Sequence, residues 1–140
     1  MAYGIDICAH REALKNNLPT IGVLAHGLYT LYPSVHRVTA REAEQNGGLL
    51  TEYTTQQPIL KINFVARNRI VAGMTEATLV IESPEKGGAL ITAHLARDYN
   101  REVFALPGNI NQECSIGCNR LIRDNVAALV TSAKDIIETM

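Results

Sequence analysis

Apolar positions along the chain follow two alternating rhythms. Short runs of apolar and β-branched residues are separated by longer stretches in which apolar residues recur every three or four positions. That alternation predicts βα units and a parallel sheet. Helices are expected over residues 5–17, from Pro33 and Ser34 to about 46, over 64–74, 89–99 and 117–125, and at the C-terminus behind Ser132 as N-cap. The first of these has Asp6 near its start and Ala9, Ala13 and Leu14 on one face. Strands are expected over 20–24, 49–52, 77–81, 102–106 and 128–130, with Gly47-Gly48 breaking the second helix and 53–62, which holds Pro58, as a loop.

The expected fold is α/β: a doubly wound, mainly parallel sheet with helices on both faces, Rossmann-like, as one domain over residues 1–140. Such a sheet usually begins with a strand, whereas the first element here is a helix. One or more leading strands are therefore expected to be missing, leaving an exposed sheet edge that invites pairing with a second copy.

Composition narrows the function. The chain has 140 residues, 46% of them hydrophobic and 19% charged, which suits a packed domain and not a disordered tail. No apolar run approaches the roughly 20 residues of a membrane span. The first residues have no basic or apolar leader character, so the cytoplasm is the expected compartment, with no membrane partner. Net charge is −1, so any nucleic-acid surface must come from local clustering of Lys and Arg. Three cysteines, Cys8, Cys114 and Cys118, cannot all pair, and reduced thiols are expected. Cys114 and Cys118 are four apart but have no second pair, which makes a poor zinc site.

Ligands of parallel sheets gather where the strands end. Three small polar loops lie there: Ala25-His26-Gly27, Glu85-Lys86-Gly87-Gly88 and Pro107-Gly108-Asn109. In the second, Gly87 and Gly88 let a ligand come close to the start of a helix whose free N–H groups suit a phosphate, and Lys86 adds a cation. The plain alternative is a tight turn with a surface lysine.

Residues 61–70 concentrate Lys61, Phe64, Arg67, Asn68 and Arg69. On a helix, Arg67 and Arg69 diverge by about 200°, so one faces a ligand while the other braces the fold. Phe64 can stack on a base, worth roughly 1–3 kcal/mol where such stacking occurs; the alternative is a core Phe64 with the arginines in surface ion pairs. No catalytic constellation stands out. His10, His26, His36 and His94 are scattered, and structural roles are simplest for them. Asp6 and His10 share a helix face as a conceivable acid–base pair, though a capping Asp6 is simpler. Neither a G-x-x-x-x-G-K-S/T loop nor a G-x-G-x-x-G occurs, so no nucleotide cofactor is expected.

The motifs then resemble one family, DNA processing protein A (DprA/Smf), nearly end to end. Gly4-Ile5-Asp6 with His10, Ala13 and Leu14 is similar to its "GID..AH..AL" stretch, Gly27-Leu28 with Tyr32-Pro33 to "GLD..YP", and Leu50-Thr51-Glu52-Tyr53 to "LSEY". The run from Phe64 to Gly73 resembles "FP.RNRIIAGL", the most specific signature. Gly87-Gly88-Ala89-Leu90-Ile91-Thr92 stands for "SGSLIT", the run from Arg101 to Gly108 for "GR.VFAVPG", and that from Gly117 to Ile122 for "G.N.LI".

The resemblance implies a non-enzymatic single-stranded DNA-binding protein that helps load the RecA recombinase during natural transformation and pairs into homodimers. It implies a DNA groove at Lys61, Phe64, Arg67, Asn68, Arg69 and Lys86, with Gly87 and Gly88 at the phosphate-accepting helix start. The family's "GSR..S" loop is absent and only Ala2-Tyr3-Gly4 remains of the next, so weaker DNA binding is expected. Val65 replaces Pro, Tyr29 replaces Asp and Asn125 replaces Gly. A nucleotide-processing phosphoribohydrolase of the LOG or lysine-decarboxylase-like type is the alternative. It needs "PGG.GT..E", and the run from Pro107 to Asn111 lacks the second glycine and the acid. The apolar stretch 121–137 either forms an interaction surface or closes the core.

Overall fold

The computed structural model describes all 140 residues. The chain divides into two compact units, Met1–Arg67 and Asn68–Met140.

In the first unit, α1 (Ile5–Lys15) leads to β1 (Thr20–Val23), a 3-10 turn (Ser34–His36), α2 (Arg37–Gln45) and β2 (Gly47–Leu50). β1 and β2 pair in parallel, with Thr20 opposite Gly47 and Val23 opposite Leu50. Parallel neighbours need a crossover, and α2 supplies it, packing on both strands. It buries Thr39, Ala40 and Ala43, which helical spacing puts on one face. Met1, Ile7 and Ala40 form the small core, with Leu31 and Leu49 against it. The inward face of α1 differs from expectation. Ile7 is buried and Ala9 exposed, because half-buried His10 takes an inward position and its Nδ1 meets Thr20 Oγ1 at 2.7 Å.

β2 also starts earlier than expected, at Gly47. This residue has φ +134°, and a Cβ there would lie 1.9 Å from the Thr20 carbonyl oxygen. Gly47 therefore ends the α2 connection and is also the first residue of the strand, at the one point where β1 leaves no room for a side chain.

The helix α3 (Lys61–Met74) runs across the division between the units and starts three residues before the expected position. In the second unit follow β3 (Ala77–Val80), α4 (Gly88–Asp98), β4 (Glu102–Ala105), α5 (Glu113–Arg123), β5 (Ala128–Leu129) and α6 (Ala133–Thr139). The three strands form one parallel sheet in the order β3-β4-β5. Its core is built largely from small residues, Ala72, Ala93, Ala96, Ala105 and Cys118, with Val80, Val103 and Leu121 between them. Small side chains let helix and sheet backbones approach closely. α5 begins at Glu113 and includes Gly117, whose N–H donates to the Ser83 carbonyl at 2.8 Å, while Ser83 N–H donates to the Cys114 carbonyl at 2.8 Å. A Cβ on Gly117 would lie 2.7 Å from the carbonyl oxygens of Ser83 and Pro84. The glycine read as a helix start is thus an interior residue that lets the loop after β3 dock on α5. Ser132 caps α6 in a reciprocal box with Asp135.

Candidate nucleic-acid interface

In the first unit the site is assembled from the start of α3 and the loop after β1. Lys61 is the exposed first residue of α3, and half-buried Phe64 follows one turn later on the same face. The Phe64 ring meets Tyr32 edge-on, with centroids 5.8 Å apart and planes at 76°. Arg67 is half-buried and its Nη1 donates to the carbonyl oxygen of Val23, the last residue of β1. Burial pulls its pKa down, against the opposing pull of Asp6 and Tyr53, yet a guanidinium stays charged. The bond to Val23 gives Arg67 a bracing role in the fold.

The loop after β1 is held by its backbone. Gly27 N–H donates to the Gln57 carbonyl at 3.2 Å and Tyr29 N–H to the Thr55 carbonyl at 3.0 Å. His26 is buried. Its Nδ1 lies 2.9 Å from the Gly27 carbonyl, which can only accept, so Nδ1 carries the proton and Nε2 accepts from Tyr32 N–H at 3.2 Å. Local spacing places His26 in a turn and marks neither Tyr29 nor Tyr32. Their exposure and the pairing between loops are not encoded in local spacing.

In the second unit, Asn68 is half-buried and Arg69 exposed on α3. Lys86, Gly87 and Gly88 lie together where the loop after β3 enters α4. Gly87 is the N-cap and Gly88 the first helical residue, and no side chain caps the helix. The two glycines differ. A Cβ on Gly87 would lie 2.2 Å from Ser83 Oγ, so a side chain there would have to displace that hydroxyl, whereas a Cβ on Gly88 would meet nothing within 4 Å. Crowding in the turn favours glycine at 87 and places no such demand on 88. A groove of about 380 Å³ adjoins them, lined among others by Lys86, Leu90, His94, Arg120 and Asp124. Arg120 sits 3.9 Å from Glu85 and 3.6 Å from Asp124. Its helix-borne residues come from two separate helices, so no local motif announces it.

Three of the four histidines, His10, His26 and His36, are set in structure. His10 Nε2 is 4.0 Å from Asp6, beyond hydrogen-bond reach, and Asp6 accepts from the Ala2 N–H instead of capping α1. His36 is buried with Tyr3 edge-on at 5.1 Å, and neither ring nitrogen has a hydrogen-bond partner. His94 is exposed on α4. No three His, Cys, Asp or Glu side chains are placed to hold a metal ion, and no helix is long and apolar enough to cross a membrane.

The fold is α/β and Rossmann-like, and comparison with known proteins narrows it further. Residues 1–140 match the family model of DNA recombination-mediator protein A. The chain is 43% identical over 141 residues to Protein Smf of Escherichia coli (strain K12), covering 100% of this chain and 37% of that protein. It is 39% identical over 137 residues to the DNA processing protein DprA of Streptococcus pneumoniae (strain ATCC BAA-255 / R6), covering 98% and 48%. The X-ray structure of DprA from Streptococcus pneumoniae superposes with a TM-score of 0.88 at 40% identity, over 96% of this chain and 47% of that one. DprA from Helicobacter pylori, in a structure described for its single-stranded DNA binding mode, superposes with a TM-score of 0.79 at 25% identity, over 95% and 70%. The chain belongs to the DNA recombination-mediator protein A family. It spans 35–48% of the length of the curated relatives first matched.

Proposed function

We propose that this chain binds single-stranded DNA without chemically altering it, as the strand-holding part of a cytoplasmic recombination mediator. The observation that carries this reading is the start of α4: an uncapped helix N-terminus, a Gly88 that packing does not require, and exposed Lys86 two residues before it. Free N–H groups and a mobile cation suit a backbone phosphate. Lys61 with Phe64 on α3 pairs a phosphate-binding cation with an aromatic ring, and Asn68 and Arg69 add polar and cationic groups on the same helix. The family's description as a recombination mediator and the strand-binding DprA of Helicobacter pylori support it.

The finer reading is that the strand is handed to a RecA-type recombinase during natural transformation, by a homodimer. Leu129 and Ile137, exposed in the apolar stretch 121–137, support a pairing surface at the C-terminal end. The reading assigns no chemistry to the protein, since His10 and His26 spend ring nitrogens on the fold.

Fluorescence anisotropy with labelled oligo-dT across a salt series tests it. Binding that weakens steeply with salt, and weakens further in Lys61→Ala/Arg69→Ala/Lys86→Ala, is the expected result. Binding that is flat with salt, or release of free base from a nucleoside monophosphate, overturns it. A shortened lag in strand-dependent ATP hydrolysis by RecA, and a dimer by light scattering, are expected for the finer reading.

A further inference from the structure

Two tyrosines in the loop after β1 stand exposed to solvent. Tyr29 is 79% and Tyr32 48% exposed. A single exposed aromatic is unremarked on most protein surfaces. These two sit on a backbone clamped at four points. Gly27 and Tyr29 donate to Gln57 and Thr55. Thr51 Oγ1 donates to the His26 carbonyl at 2.8 Å. Buried His26 accepts the Tyr32 N–H. Ordering a loop costs conformational entropy, and here the ordered loop holds aromatic rings out in water. Tyr32 also lies edge-on to Phe64. Its ring and the Phe64 ring therefore form a cornered aromatic surface one helical turn from Lys61.

We propose that Tyr29 and Tyr32 are base-stacking positions, and that His26 is the positioning residue that sets Tyr32. The inference rests on the single-stranded DNA reading and deepens it. The ligand is a strand with unpaired bases whose flat faces are accessible, not a duplex, whose bases are already stacked on one another. Base faces are alike in being flat and polarisable, so recognition by stacking is tolerant of sequence. A phosphate held by Lys61 leaves the neighbouring base at the aromatic corner. Preorganisation by His26 means that the rings need little further ordering when the strand arrives.

The test compares two labelled strands of equal length and equal phosphate count, oligo-dT and a fully abasic strand. The parent protein is expected to bind oligo-dT more tightly. Tyr29→Ala and Tyr32→Ala are each expected to weaken oligo-dT binding about tenfold and to leave the abasic strand unchanged. Tyr32→Phe is expected to retain oligo-dT binding. His26→Ala is expected to lose part of the oligo-dT preference, with His26→Asn, which also carries a donor and an acceptor, restoring some of it. A variant that unfolds loses both strands together, so the ratio between strands separates folding from stacking. If the tyrosine variants keep the parent's preference, the stacking assignment fails while the DNA-binding reading stands. If the parent binds neither strand, both fail.

Discussion

The guanidinium of Arg67 donates to the carbonyl oxygen of Val23, tying the second turn of α3 to the last residue of β1. That carbonyl lies at the end of a two-stranded sheet. Arg67→Ala leaves it without this donor and is expected to cost about 1.5–3 kcal/mol, the range for a hydrogen bond to a charged group. Arg67→Lys is expected to recover only part, because an ammonium lacks the planar fork. Urea denaturation measures this, and an unchanged midpoint in Arg67→Ala would count against the brace. Reduced DNA binding by the same variant is expected to follow from stability and not from a lost phosphate contact.

Two glycines are expected to respond in opposite ways. Gly47→Ala places a methyl 1.9 Å from the Thr20 carbonyl at positive φ, and a loss of about 4 kcal/mol or more, seen as an early unfolding transition, is expected. Gly88→Ala meets open space and restricts the unfolded chain, so a gain of about 0.4–1 kcal/mol is expected. If α4 receives a phosphate, the same methyl lowers affinity for oligo-dT. A stabilised Gly88→Ala that binds normally would separate that glycine from the ligand.

Lys61 and Lys86 are both exposed, and each is expected to act on DNA through charge. Each single alanine variant should flatten the plot of log affinity against log salt by about 0.7, the increment for one phosphate contact on a single strand. Equal slopes in parent and variant would remove that lysine from the strand path.

Acid should weaken the first unit. His36 is buried with no hydrogen-bond partner on either nitrogen. Burial first, and the charge of Arg11 second, hold its pKa below the ordinary 6.5. The unfolded chain therefore takes up the proton at a higher pH than the folded one. Stability from this group is complete above about pH 6.5 and falls as pH drops through the folded value. His10 is lowered in the same direction, chiefly by burial. His36→Phe is thus expected to shrink the pH dependence of the urea midpoint between pH 7 and 5 without abolishing it. An undiminished slope would mean that His36 is not the group responsible.

Much of the element order was readable in the sequence. Periodicity places all five strands and six helices, and several element starts shift by two to four residues, at Gly47, Lys61, Arg37 and Glu113. Gly47 breaks the helix as expected and is also the first residue of a strand, whereas Gly117, expected at a helix start, lies inside α5; each admits a backbone from another part of the chain. A glycine signals that something comes close, without saying what.

By itself, the sequence determined the α/β class, the family membership and which residue types are available to meet a strand, because hydrophobic period and local motif are properties of neighbouring residues. Only the tertiary structure decided that Arg67 is spent on Val23, that Phe64 is cornered by Tyr32, and that His26 pins the loop beneath two exposed tyrosines. Those relations join residues separated by 44 and 32 positions in the first two cases. No spacing rule spans such distances; chain folding brings the groups together, and packing and hydrogen-bond satisfaction choose among the roles each side chain had open to it.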